Sequence, residues 1–326
     1  MAIQLLNTFK MKKRDFLKNC LLTTAPLAIG VLNKLPLEML NSDIHKLTIG
    51  NANCTIYKDL LFNYKATDYF INAEPNELES YLTKYNINPD QINSPFIAML
   101  IELDDRKILI DTGSGYSNTP ISFRGRTFPL KGQLLSLLSQ SEVDNESITD
   151  VIITHFHPDH IGGIYSDGKL NYPNAKFHVH QKEWDYWNTN KSINENPLFQ
   201  LFVEKNIKPL SNENLSFVKQ DEYEIIPGIT SIIASGHTPG QIAILIKSGD
   251  ESILYTSDSF LHPIHIEKLN WRTNYDNDHK KARSTREKLL NISITENALI
   301  NSFHFDFPGL GIAEQNESNW KWISKA

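Results

Sequence analysis

The chain has 326 residues, of which 40% are hydrophobic, and a formal net charge of −6; this is enough apolar material for one substantial core or two small ones. An acidic body repels phosphate backbones, which sets nucleic acid aside as a partner. The cysteines are Cys20 and Cys54 alone, too few for a disulfide framework or a thiolate metal site, so any metal must be held by nitrogen and oxygen.

Residues 1–44 read as a leader. From Met11, a basic stretch (Lys12, Lys13, Arg14) precedes an apolar run, Cys20 to Leu32, broken by Thr23, Thr24 and Pro26. The run is too short and interrupted for a stable membrane span and has the form of an export signal. "KKRDFLK" resembles a twin-arginine signal with Lys13 in place of the first arginine. The expected location is periplasmic or secreted; a cytoplasmic protein with an N-terminal extension is the alternative.

The body, residues 45–326, shows no low-complexity linker and reads as one domain. "KLTIG" and "NCTIYKD" are predicted strands. "NELESYLTKY" has helical spacing, with Asn76 as N-cap and Glu79 three residues on. "FIAMLIEL" and "KILIDTG" are strands around the turn "DDRK". "GQLLSLLSQ" is an amphipathic helix, and "DVIIT" a short buried strand. "KFHVH" alternates like a strand, and "KEWDYW" begins a helix. "EIIPG", "TSIIAS", "IAILIKSG" and "SILYTSD" are successive strands. "DHKKARSTREKLLN" is a helix started by Asp276 or Asp278, and "ALINSF" is the last strand.

Four of these strands end in chemistry-bearing residues. "DVIIT" runs into His155, Phe156, His157, Pro158, Asp159 and His160; "TSIIAS" into His237; "SILYTS" into Asp258; "ALINSF" into His304. Residues two apart on extended backbone face the same side, so His155 and His157 point together. Gly162 and Gly163 then let the backbone turn tightly. One cation cannot take four donors from so short a loop, whereas two can. His155, His157 and His237 would hold one; Asp159, His160 and His304 the other; Asp258 would bridge them and leave a shared open position, the arrangement of a catalytic centre. Asp111, at the end of "ILID", reads either as a carboxylate orienting a ligating histidine or as a turn cap. His45, His178, His180 and His279 read as hydrogen-bonded surface histidines. His262 and His265 follow Asp258 closely and are candidates to line a pocket or hydrogen-bond to a ligand, surface-loop histidines being the competing reading. The aromatic Trp184, Trp187, Trp271, Phe305 and Phe307 are candidates for an apolar substrate wall, core packing being the competing reading. There is no G-x-S-x-G elbow and no P-loop.

With these motifs in hand, the sequence resembles the metallo-β-lactamase superfamily. "THFHPDH" matches its H-x-H-x-D-H signature, and "LIDTG", "GHTPG", "TSD" and "FHFDFPG" match its other motifs in order, over about residues 47–322. The resemblance implies an αββα sandwich of two mixed sheets flanked by helices, with the site along one edge and two Zn2+ per chain on the seven donors. The segment before "FIAMLIEL", the "WRTNYDNDHKKARSTREKLL" stretch and "HFDFPGLG" resemble the methyl parathion hydrolase and N-acyl-homoserine lactonase branch. Some lactonases there carry a tyrosine three residues after the bridging aspartate; here Leu261 stands instead, so a phenol would have to come from elsewhere, Tyr165 or Tyr223 being candidates.

The function expected is hydrolysis of a lactone or ester by a metal-bridging hydroxide, foremost an N-acyl-homoserine lactone, with Asp159 or Asp258 passing a proton to the leaving oxygen. Phosphotriester and β-lactam hydrolysis are alternatives on the same ligands. A diiron oxidoreductase or a non-catalytic metal-binding protein are alternatives of another class. The expected partner is a small-molecule lactone or ester, with a homodimer left open.

Overall fold

Period-two alternation of β-branched residues builds the two large sheets of this computed structural model, which describes residues 43–325 other than 124, 190–192, 194, 195 and 318. These residues belong to one unit, Asn41–Ala326. The leader, up to residue 42, lies outside the described residues, and so does the export reading that rests on it. Among the described residues no helix is long and apolar enough to cross a membrane.

The first sheet contains β1 (Ile44–Ile49), β2 (Ala52–Tyr64), β3 (Ile92–Leu103), β4 (Arg106–Ile110), β7 (Asp150–Ile152), β10 (Lys176–His180) and β11 (Leu215–Val218), in that order. Between them in sequence lie two small hairpins, β5 (Tyr116–Phe123) with β6 (Arg126–Lys131), and β8 (Tyr165–Ser166) with β9 (Lys169–Leu170). The second sheet runs β12 (Glu222–Ile226), β13 (Ile229–Ile233), β14 (Ile242–Ser248), β15 (Glu251–Tyr255), β16 (Leu299–Asn301), β17 (Leu310–Asn316) and β18 (Asn319–Ser324). Both sheets are mixed: β4, β7, β10 and β11 pair in parallel in the first, and β15 with β16 in the second.

The alternation sorts side chains into layers. Ile97, Met99, Ile101, Ile108, Ile110 and Ile152 of the first sheet meet Ile242, Ile244, Ile246, Ile253 and Tyr255 of the second in the central core. Their neighbours Ala98, Leu100, Leu109 and Val151 turn outward beneath α2 (Leu134–Gln140) and α4 (Gln181–Thr189), which follow α1 (Pro75–Lys84) and precede α5 (Pro197–Phe202). On the other side Ala243, Leu245 and Leu254 pack beneath α6 (His279–Thr295) through its Leu289 and Leu290. The result is the αββα sandwich that the resemblance implies. A very short helix, α3 (Pro158–Ile161), carries part of the histidine motif; it lies between α2 and α4 in sequence.

The structure corrects several boundaries. α1 starts at Pro75 with Glu74 as its N-cap, not Asn76, because proline at the first helical position has no N–H to satisfy and a φ already suited to the helix. α6 is capped by Asp278, whose carboxylate accepts from Lys280 N and Lys281 N. "ALINSF" is not the last strand, since β17 and β18 follow it, and the β5–β6 hairpin was not anticipated.

Candidate metal centre

Strand direction places the site. β4 and β7 run parallel, so Asp111 and the histidine motif leave the same end of the first sheet. β13, β15 and β16 run alike in the second sheet, and His237, Asp258 and His304 leave their C-terminal ends. The two edges are joined where Ile242 N donates to Thr154 O at 3.0 Å. After β7 the chain stays extended through His157, then Pro158 starts α3 and turns Asp159 and His160 into its single turn. Gly162 is required here: a Cβ would lie 2.0 Å from Ser114 O. Asp111 (φ 59°) and Ser257 (φ 49°) hold left-handed backbone at the ends of β4 and β15. Such conformations cost about 1–3 kcal/mol in a non-glycine residue and persist where surrounding structure fixes them.

The seven side chains come together as two groups that share Asp258: His155, His157, His237 and Asp258, and Asp159, His160, Asp258 and His304. His157 Nδ1 lies 3.0 Å from His155 Nε2 and 2.9 Å from His237 Nε2. Asp258 Oδ2 lies 3.2 Å from both His237 Nε2 and His304 Nε2, and its Oδ1 lies 3.3 Å from His160 Nε2. Asp159 Oδ2 is 3.6 Å from His304 Nε2.

The donors fit zinc. Ligand bonds of about 2.0–2.2 Å in tetrahedral geometry separate ligand atoms by roughly 3.3–3.6 Å, within the spread of these distances. His160 Nε2 and Asp258 Oδ1 are buried and make no hydrogen bond to the described residues, a costly state that a shared cation removes. Burial and neighbouring imidazoles push His155 and His157 well below the ordinary histidine pKa, which keeps them neutral, the form a metal takes. Burial alone would lower His160 too, but the Asp258, Asp111 and Asp159 carboxylates hold it well above its usual value. Burial would raise Asp258, yet His304 and His160 hold it well below the carboxylate range.

The far nitrogens of His160 and His237 are engaged by carboxylates, which fixes ring orientation. Asp111 Oδ2 lies 2.8 Å from His160 Nδ1, and its other oxygen accepts from Thr154 N. Asp276 Oδ1 lies 3.3 Å from His237 Nδ1. Arg286, fully buried, donates to Asp276 Oδ2 at 2.8 Å, to Ser259 O beside Asp258 at 2.8 Å, and to Trp271 O at 2.7 Å. Sequence reasoning took Asp276 only as a helix start and passed over Arg286. The signal was present in the spacing: Arg286 stands on the buried stripe Ala282, Arg286, Leu289, Leu290, Ser293 of α6, where an arginine is out of place unless paired.

A cavity of about 530 Å³ opens on the donors, walled by Phe62, Phe96, Phe123, Phe128, Trp187, Leu198 and Phe199, with Asp159, Asp258 and His304 at its floor. Of the wall residues proposed from sequence only Trp187 lines it. Trp184 packs with the outer core against Phe156 and Phe217. His262 lies against Phe70 and Tyr85, and Trp271 against Phe70 and Tyr81. His265 is buried with its Nε2 at Tyr69 O, Phe305 packs on Trp322, and Phe307 joins the central core. Proximity in sequence to a motif did not carry these rings to the cavity. Leu261 is buried and lines it. Tyr165 donates to Glu213 and Tyr223 is 43% exposed, so neither phenol reaches the site; Tyr64, Tyr69 and Tyr275 do line the cavity. His178 and His180 are buried rather than superficial, His178 hydrogen-bonded to Asp150 and His180 to Lys182 N. His45 and His279 are partly buried, and both stand outside the two donor groups.

A profile described as the metallo-beta-lactamase superfamily matches residues 97–295, more than half of the chain. The chain belongs to the metallo-beta-lactamase superfamily. It is a metal-dependent hydrolase of that superfamily. An N-acyl homoserine lactonase of Bacillus cereus is 25% identical to it over 216 residues, covering 59% of this chain and 77% of its own. A second N-acyl homoserine lactonase, from a Bacillus species, is 27% identical over 212 residues, covering 59% and 74%. Among solved structures, the hydrolase AbOPH is 26% identical with a TM-score of 0.77, over 88% of this chain and 98% of that one. AidC, a dizinc quorum-quenching lactonase in complex with a product, is 24% identical with a TM-score of 0.74, over 87% and 97%; at that identity the likeness is one of fold.

Proposed function

We propose that this superfamily member hydrolyses N-acyl homoserine lactones, with one zinc ion on His155, His157 and His237, a second on Asp159, His160 and His304, and Asp258 between them. The observation that supports this best is the placement of the shared carboxylate: Asp258 belongs to both donor groups and also lines the aromatic cavity. A polar lactone ring and an apolar acyl chain need that combination. The lactonase relatives point the same way.

The bound cations would supply Lewis-acid polarisation of the carbonyl and a water acidic enough to attack at neutral pH. The chain's own groups do the rest. Phe62, Phe96, Phe128 and Phe199 exclude water and hold the acyl chain. Asp159 and Asp258 line the cavity; in this reading one of them takes the proton of the attacking water and returns it to the leaving ring oxygen. Water adds to the carbonyl carbon, the ring C–O bond breaks, and the alkoxide leaves as a hydroxyl, so the product is the ring-opened hydroxy acid.

The test is hydrolysis by the purified full chain of lactones of increasing acyl length, a phosphotriester and a penicillin, each with and without chelator. The proposal expects chelator-sensitive lactone turnover, with kcat/KM rising up to about fourfold per added methylene, since burying one is worth about 0.8 kcal/mol. Lactone turnover that survives exhaustive metal removal, or activity confined to the other substrates, would contradict it. The segment from Met11 is proposed as an export signal; recovery of the protein solely from the cytoplasmic fraction would refute that.

A further inference from the structure

Neither the histidine motif nor the donor groups account for Glu183. It lies in the first turn of α4 and is 1% exposed. Its Oε1 accepts from Phe156 N at 3.0 Å and Trp187 Nε1 at 2.7 Å. Its Oε2 accepts from Thr238 Oγ1 at 2.7 Å and Gly240 N at 3.0 Å. We propose that Glu183 is a positioning residue that sets the three-histidine group by clamping together the two loops that carry it. The inference rests on the assignment of that group to a metal ion.

Phe156 stands between His155 and His157, and Thr238 directly follows His237. The clamp therefore acts one residue away from each of the three imidazoles. Those loops leave different sheets, which share no strand, so the 2.9 Å approach of His157 Nδ1 to His237 Nε2 depends on links between the sheets. Glu183 is such a link, and the fit around it is tight: a Cβ on Gly240 would lie 2.0 Å from Glu183 N. Through Trp187, which lines the cavity and whose ring is 5.8 Å from that of His157, the same carboxylate also holds the substrate wall against the histidines. Burial pushes the Glu183 carboxyl up despite the four donors. A charge in this position is costly unless fully hydrogen-bonded, and both of its oxygens are used.

Glu183→Gln separates position from bulk. The amide has the same shape but accepts at one end only. Its NH2 must face either Phe156 N and Trp187 Nε1, which can only donate, or Gly240 N and the Thr238 hydroxyl, of which only the hydroxyl can turn to accept, so at least one backbone N–H of the two loops loses its acceptor. The measurement is cobalt(II) titration of the chelator-stripped full chain, read as metal-to-protein ratio and ligand-field absorption. Wild type is expected to take up two ions. Glu183→Gln is expected to keep one at wild-type affinity and to bind the other roughly 10–100-fold more weakly, with a spectrum that approaches that of His237→Ala. A role in stability alone would lower the melting temperature of the metal-free chain and leave both affinities unchanged; folded Glu183→Gln with unaltered affinities and spectrum would overturn the inference. A wild-type chain that binds fewer than two ions would overturn the metal assignment, and this inference with it. Should Glu183→Gln fail to fold, Thr238→Val removes a single donor. Weaker binding of the same one ion is then expected, and unchanged binding overturns the inference.

Discussion

The pairing of Asp276 with Arg286 shows how much of this centre is decided behind the donors. Asp276 faces the far nitrogen of His237, and Arg286 holds Asp276 while also gripping the backbone beside Asp258. Asp276→Asn keeps the shape and loses the charge. It should weaken one metal ion roughly 10–100-fold, measured by metal content after dialysis against graded chelator, and it should also lower stability, because the buried Arg286 loses its opposite charge. Arg286→Met leaves Asp276 as an unpaired buried charge and should cost about 3–5 kcal/mol of stability, read from denaturant unfolding; a shift below about 1 kcal/mol would contradict the pairing. His157→Ala removes a donor outright and should lose metal and turnover together, whereas full activity would exclude it as a ligand. The donors themselves were legible because six consecutive residues carry four of them. Glu183, Asp276 and Arg286 were not, because each acts through partners in other segments; Glu183 and Arg286 leave only a charged residue on a buried helix face as their trace, and Asp276 lies in the loop before α6.

At the scale of elements, β7 is three residues long and still anchors the histidine motif. Its first residue explains part of that. Asp150 accepts from Arg106 and faces His178 Nε2, each at 2.8 Å, tying β7 to β4 and β10. Burial would raise this carboxyl, but His178, Thr149 and Arg106 hold it below its ordinary value. A depressed folded pKa means that the stabilisation is complete above the unfolded value of about 3.9 and is lost as pH falls through the folded one. The gap in unfolding free energy between wild type and Asp150→Asn should thus be largest near neutrality and shrink below about pH 4. A gap independent of pH would contradict this. The buried strands were readable from their alternation. The β5–β6 hairpin was not, since its Pro120 and Gly125 break the period. β17 and β18 were missed because β17 turns polar and exposed over its last three residues. The hairpin is the costlier omission, as it supplies Ile121, Phe123, Phe128 and Leu130 to the cavity wall.

For the whole molecule, two sheets with separate strand sets bring their loops to one edge, and neither sheet alone holds a complete donor group. The sandwich itself came from the resemblance to the superfamily, whereas the layered α/β class and the convergence of strand ends could be read from local patterns. The composition of the cavity could not, since it depends on how loops from distant segments face one another, as Phe305 shows by packing away from its neighbour His304. The central claim is that the seven side chains hold a pair of cations bridged by Asp258. The most direct measurement is a crystal of the zinc-loaded chain with anomalous scattering recorded at the zinc edge. Two peaks per chain are predicted, one against His155, His157 and His237 and one against Asp159, His160 and His304, with Asp258 touching both. A single peak, or peaks remote from Asp258, would contradict the account.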